Sequence, residues 1–294
     1  MRSSLRQTVT QLCWLVTAGM LVGACSADPP ATDPPPSGPL VHVYRVADSD
    51  SLRLYIFEPA VPRPTSPRSA VLLFHGGGWS AGEPEWTFDS AHKFANEGLV
   101  AVSVEYRLSG AEWTPLDALT DVCESLRWVR RHAGELGIDP MRIAGHGVSA
   151  GGHLIASTAT VGCPNATGAE RSTPDLLLLW SPALDVTTDG WFARQLKGQV
   201  DPAAVSPAQH VHPNTPATSI VMGDSDTLTP LAGAKLYCNA LEAASVRCEL
   251  NVYAGLGHLL TRDLANQESD FDPDPEARAD GTAKHLQFLR SNGF

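Results

Sequence analysis

No stretch constrains this chain more than Gly147-Val148-Ser149-Ala150-Gly151. An apolar run from Met141 to Ala144 leads into it, and a helix-friendly run from His153 to Ser157 follows. A strand that turns straight into a helix at a serine leaves that hydroxyl on a strained, exposed corner above a helix N-terminus. Side chains at positions 147 and 151 would collide where strand and helix pass close together, which demands glycine there. Taken alone, five such residues also read as a Gly/Ser-rich turn. The rest of the chain has to decide.

Val41 to Val46 and Leu52 to Phe57 alternate apolar and polar residues, which predicts an antiparallel hairpin. Ala70 to Phe74 is continuously apolar, as expected of a strand buried on both faces. Helices and strands then alternate. Helix is expected over 85–97, strand over 99–106, helix over 116–136 and strand over 141–145 into the serine corner. A helix to Thr160, strands over 176–180 and 219–222, a helix over 231–244, a strand over 247–253 and a closing helix over 278–290 complete the pattern. Such alternation predicts an α/β fold with a mostly parallel sheet covered on both faces. In these sheets the loops at the carboxyl ends of the strands build the site.

The candidate residues fall on those loops. His75-Gly76-Gly77-Gly78-Trp79 follows the first buried strand, and its three glycines leave backbone N–H groups unshielded. Aimed at a developing oxyanion, such donors contribute about 3–4 kcal/mol each. The plain alternative is a flexible glycine turn. A serine hydroxyl needs a base, and the base needs a carboxylate to orient it. His258 lies in a glycine-containing loop after the last strand, and Gly223-Asp224-Ser225-Asp226 follows the strand before it. Two aspartates compete there; Asp226, next to the coming helix, is chosen over Asp224, which could cap the loop. Among the other histidines, His75 is expected to hold the glycine loop by hydrogen bonds. His146 and His153 are separated by the corner and do not suggest a metal pair, and His92, His132 and His285 read as helix-surface residues.

The formal charge of −11 disfavours nucleic acid and anionic membrane as partners. Residues 1–24 begin with Arg2 and Arg6 and continue into a broken apolar run, as in a signal peptide. They end at Leu21-Val22-Gly23-Ala24-Cys25, which resembles a bacterial lipoprotein processing site. Cys25 would then carry lipid and be the chain's one link to a membrane, placing the protein in the cell envelope; ordinary secretion is the alternative. Residues 25–39, rich in Pro, Asp and Ala, read as an extended tether, and 40–294 as one large domain. Exported chains favour disulfides, and nearest-neighbour pairing of Cys123 with Cys163 and Cys238 with Cys248 is the expectation among three connectivities. Buried free thiols are the alternative. No cysteine spacing suggests a structural metal.

Four segments now line up: HGGGW at 75–79, VEYRLSG at 104–110, GIDPMRI at 137–143 and GVSAGGH at 147–153. Together they resemble the α/β-hydrolase esterases, closest to the hormone-sensitive-lipase-like group and its feruloyl/acetyl-esterase-like (BD-FAE) branch. SPALD at 181–185 and YAGLGH at 253–258 extend the likeness over roughly residues 40–290. The resemblance implies an α/β-hydrolase fold and a serine carboxylesterase acting on short-acyl or carbohydrate-linked esters, without metal or organic cofactor. It implies Ser149 as nucleophile, His258 as base and Asp226 as its orienter, with the N–H groups of Gly77, Gly78 and Ala150 as the oxyanion hole. An amidase or peptidase with the same triad, or a non-catalytic surface lipoprotein, are the competing expectations. The proline tether in place of an N-terminal helical cap implies a minimal cap and an open site. Trp79, Trp113, Trp180 and Trp191 are candidates for the pocket wall or the core. The acidic stretch 263–280 is expected to be a solvated loop.

Overall fold

The computed structural model describes residues 38–47, 50–61, 65–164, 170–269 and 272–294. The leader, Cys25 and nearly all of the tether lie outside the described residues. Among the described residues, no helix is long and apolar enough to cross a membrane.

The chain opens with β1 (Leu40–Ala47), β2 (Asp50–Phe57) and β3 (Arg68–Phe74), followed by α1 (Phe88–Asn96) and β4 (Val100–Val104). Next come α2 (Pro115–Arg131), α3 (Ala133–Leu136), β5 (Ile138–Val148), α4 (Ala150–Thr160), β6 (Leu176–Trp180) and α5 (Gly190–Gln195). Then β7 (Thr218–Gly223), α6 (Leu231–Ala243), β8 (Cys248–Tyr253) and α7 (Pro275–Ser291) close the domain. The strands form one sheet in the order β1-β2-β4-β3-β5-β6-β7-β8. β2 is antiparallel to both of its neighbours, and every pairing from β4 onward is parallel.

β3 shows why its residues are all apolar. Ala70, Leu72 and Phe74 point into one core with α2, α4 and α6, while Val71 and Leu73 meet α1 and α7 on the other side. A strand with helices on both faces has no polar side.

The helices follow from local chemistry. α2 begins with Pro115 in its first turn, and the Asp117 carboxylate accepts from the Thr114 N–H (2.8 Å). This is half of a reciprocal cap. The helix expected over 116–136 is α2 and α3 run together through one distorted residue, His132, whose N–H still reaches Trp128 O at 3.0 Å. Gly137, at φ +65°, ends it.

Both disulfides are present in the expected pairing. Cys123 of α2 joins Cys163 just beyond α4, and Cys238 of α6 joins Cys248 of β8.

His285 corrects the sequence reading. It is not on the helix surface but 1% exposed, edge-on to His146 and Trp180. α7 buries Ala277, Gly281, His285, Phe288 and Leu289, a stripe three to four residues apart that faces the sheet. His132 stacks on Trp128, half-buried, and His92 is exposed against the edge of Phe57.

Candidate active site

Ser149 lies at the joint between β5 and α4 with φ +51°, a conformation that a side chain rarely adopts. Its N–H donates to Trp180 O (2.9 Å) and its carbonyl accepts from His153 N (3.1 Å), so both flanking elements hold the corner. A methyl group on Gly151 would lie 2.3 Å from the carbonyl oxygens of Phe74 and His75. The helix can approach the sheet this closely only because that atom is missing.

His258 and Asp226 reach Ser149 from the ends of β8 and β7. The Nε2 atom of His258 lies 3.1 Å from Ser149 Oγ, and its Nδ1 lies 2.9 Å from Asp226 Oδ2. The carboxylate fixes the tautomer: Nδ1–H donates to Asp226, leaving Nε2 free to accept from the serine. Asp226 is buried, and its Oδ1 accepts from the N–H groups of Leu228 (3.0 Å) and Thr229 (2.8 Å). The Thr229 hydroxyl donates to Oδ2 (2.8 Å). Asp224 sits apart and exposed, accepting from Gly255 N (2.8 Å) and the Ser225 hydroxyl (2.9 Å). The structure thus brings Ser149, His258 and Asp226 together and leaves Asp224 to the loop.

The glycine loop passes directly beside the serine: a Cβ on Gly76 would be 3.3 Å from Ser149 Cβ. Each of its carbonyls is tied down. His75 Nδ1–H donates to Gly76 O (2.7 Å), and Ser80 N (3.2 Å) and Ala81 N (3.0 Å) donate to Gly77 O. Trp191 Nε1 (3.1 Å) and Gln195 Nε2 (2.8 Å), both on α5, converge on Gly78 O. In a planar trans peptide the N–H points opposite to its carbonyl. Pinning the Gly76 and Gly77 carbonyls therefore sets the directions of the Gly77 and Gly78 N–H groups. Gly77 has φ +110°, and a Cβ there would lie 2.1 Å from Ala81 O, so no other residue fits. Ala150 is the first residue of α4, with its N–H at the helix N-terminus.

The neighbouring histidines hold the frame. His75 stacks on Tyr106, whose hydroxyl donates to His75 O (2.7 Å), and burial lowers His75 to about 4. His153 accepts from Trp79 Nε1 (3.2 Å) and donates from Nε2 to Val205 O (2.9 Å), a neutral tautomer. Burial lowers its pKa to about 4 as well, and that of His146 likewise. Among the described residues, no cluster of His, Cys, Asp or Glu could hold a metal ion.

Ser149, His258 and the glycine loop line a cavity of about 1210 Å³. Trp79, Trp180 and Trp191 line it, with Trp79 3% exposed and Trp191 50% exposed. Trp113 does not; it lies under the Arg107 guanidinium. Trp86, not singled out from the sequence, is a further wall.

The acidic stretch after His258 is also corrected. It is not only a solvated loop: Leu264, Ala265, Asn266, Gln267 and Glu268 line the cavity, and Gln267 is buried. The signal that could have found it is a pair of uncharged amides among acids, Asn266 and Gln267, eight and nine residues past the histidine. Nothing in the sequence indicated Gln195 or Thr229.

A family model described as alpha/beta hydrolase fold matches residues 71–202. Over 97 residues the chain is 39% identical to an arylesterase of Saccharolobus solfataricus, covering 32% of this chain and 31% of that protein. Over 132 residues it is 39% identical to the carboxylesterase NlhH of Mycobacterium tuberculosis, covering 43% of this chain and 38% of that one. The chain thus spans about a third of the length of these first curated relatives. A solved thermophilic esterase of Thermogutta terrifontis, Est2, superposes with a TM-score of 0.77 at 32% identity, covering 88% of this chain and 94% of that one. Est2 is also described with propionate or butyrate bound and phosphonylated by sarin.

Proposed function

Since this chain belongs to the α/β-hydrolase-fold family, we propose that it is a serine carboxylesterase. The observation that carries this reading is a single imidazole, 3% exposed, spanning Ser149 Oγ at 3.1 Å and Asp226 Oδ2 at 2.9 Å inside a substrate-sized cavity. The hydrogen-bonded chain Ser149–His258–Asp226 supports the roles of nucleophile, base and orienting acid in acyl transfer. The esterase names of the relatives and the propionate and butyrate complexes of Est2 support short acyl groups.

In the proposed reaction Ser149 Oγ attacks the ester carbonyl while its proton passes to His258 Nε2. Asp226, already bonded to Nδ1–H, stabilises the imidazolium that forms. The oxyanion is held by the N–H groups of Gly77, Gly78 and Ala150. Collapse expels the alcohol, which takes the proton from Nε2, and an acyl-serine remains. Water, deprotonated by the same imidazole, attacks the acyl carbon and releases the acid.

On the sequence motifs alone, the proposal extends to the feruloyl/acetyl-esterase-like branch, with carbohydrate-linked esters among its substrates. It also extends to export through the leader, with lipid on Cys25.

The test is hydrolysis of p-nitrophenyl esters from acetate to decanoate by the wild-type chain and its Ser149→Ala variant. A thousandfold or greater loss in the variant, on the order expected for a missing nucleophile, supports the reading. A folded wild type no faster than the variant on any ester overturns it. Amides run in parallel show whether the same triad serves another bond, and failure of a phosphonate to label Ser149 marks a non-catalytic fold.

A further inference from the structure

The mechanism above makes no use of the loop that follows His258. That loop is closed at its base by a bridge between Thr261 and Pro273, by Arg262 N to Asp272 O (2.9 Å) and by the Arg262–Asp272 ion pair (2.6 Å). Between residues 262 and 269, one side chain is buried. This is Gln267, at 4% exposure.

Its amide is bonded at both ends. Oε1 accepts from the backbone N–H of His258 (2.8 Å) and of Thr227 (3.2 Å), and Nε2 donates to the Ser225 carbonyl (2.9 Å). The partners dictate the amide's orientation. Two N–H donors face the oxygen, and the carbonyls of Ser225 and Leu264 face the nitrogen, so a flipped amide would set like against like. Ser225 and Thr227 flank Asp226. One side chain therefore joins the loop of the acid to the backbone of the base. Other links tie these loops as well: Asp224 N to Tyr253 O (3.1 Å), Ser225 N to Leu256 O (3.0 Å) and Gly255 N to Asp224 Oδ1 (2.8 Å) lie short of residue 258, while Asp226 Oδ2 (2.9 Å) and Thr229 Oγ1 (3.3 Å) meet the His258 ring rather than its backbone. The space is reserved for it: a Cβ on Gly257 would lie 2.5 Å from the Gln267 amide carbon.

We infer that Gln267 is a positioning residue, setting the separation of Asp226 and His258 and through them the reach of Nε2 to Ser149. The inference rests on the ester-hydrolase reading above. Without the amide, two backbone donors and one carbonyl beside the triad lose a buried partner, and the loops must shift to find others. A displacement of about 1 Å at a reacting group can cost on the order of a hundredfold in rate.

The test uses full-length protein with Gln267→Met, which keeps length but no hydrogen bonds, and Gln267→Glu, which keeps an acceptor for both N–H donors. Expected on p-nitrophenyl acetate is a roughly tenfold to hundredfold fall in kcat for the Met variant with KM nearly unchanged, partly recovered by Glu. In a His258→Ala background the same Gln267→Met change should alter the residual rate less than about twofold, because no base is left to position. An equal loss in both backgrounds would make Gln267 merely structural and overturn the inference, as would a folded Met variant with wild-type kcat. If circular dichroism shows the Met variant unfolded, the Glu variant is carried through the same cycle: a fall in kcat confined to the His258 background supports the inference, and wild-type kcat overturns it. A wild-type chain that cleaves no ester fails differently, since it removes the ester-hydrolase reading first.

Discussion

The indole N–H of Trp191 donates to the carbonyl oxygen of Gly78 at 3.1 Å, across 113 residues of chain. Trp191 is at the same time 50% exposed on the cavity wall, so a residue that meets solvent also fixes the loop beside Ser149.

Trp191→Phe keeps the ring and removes the donor. Because Gln195 still reaches Gly78 O, kcat on acetate esters should fall only about threefold to tenfold, the value of one hydrogen bond. Adding Gln195→Leu leaves the carbonyl with neither donor and should cost more than either change alone. Steady-state kinetics of the two single variants and the double variant check this; purely additive small losses would show that the loop does not need α5.

Asp226 and Asp224 separate on substitution. Asp226→Asn removes the charge that fixes the His258 tautomer, and kcat should fall by about 10⁴-fold. Asp224→Asn keeps an oxygen for Gly255 N and should lose less than about threefold. Measuring both on one ester decides between them, and a comparable loss at Asp224 would reassign the acid.

Acid should unfold this domain early. His75, His146 and His153 are lowered from 6.5 to about 4 by burial, and His285 lies well below its ordinary value for the same reason. Each binds a proton in the unfolded chain before it does in the folded one. The contribution of the first three to stability is full above about 6.5 and is lost as pH falls toward 4, and that of His285 is lost in the same direction. The slope is up to about 1.4 kcal/mol per pH unit for each imidazole. Urea titrations at pH 7, 6 and 5 should show a steadily falling midpoint; a flat profile would mean that these histidines are protonated in the native state.

Cys123 and Cys163 close a loop of 40 residues. Replacing both by serine should destabilise the domain by about 3–4 kcal/mol through the freed unfolded chain. For a domain of this size that corresponds to a melting temperature lower by roughly 10 °C. Differential scanning fluorimetry of the double Ser variant reads it directly.

Much of this was legible in the chain before any coordinates. Period-two and continuous apolar runs located the strands, and helical runs between them made a parallel sheet the expected result. The glycines at 77, 147 and 151 mark places where backbones touch, which is why such glycines pointed to the site. His258 and Asp226 fell at strand ends, where such a sheet places its chemistry.

The remainder was decided in three dimensions. His285 read as a surface residue because a histidine in a helix carries no sign of which side meets the sheet; only the stripe it shares with Ala277, Gly281 and Leu289 tells. Gln267 was lost among aspartates because its partners are backbone atoms of His258, Thr227 and Ser225. Every residue but proline offers the same N–H and C=O, so such a bond leaves no pattern at the far end. The convergence of Trp191 and Gln195 on Gly78 is hidden for the same reason. Side-chain chemistry and periodicity belong to the sequence, and they determined the sheet and the residues that form the candidate site. Which backbone groups those side chains would find, and hence how firmly the candidate residues are held, depended on loops meeting across the folded domain.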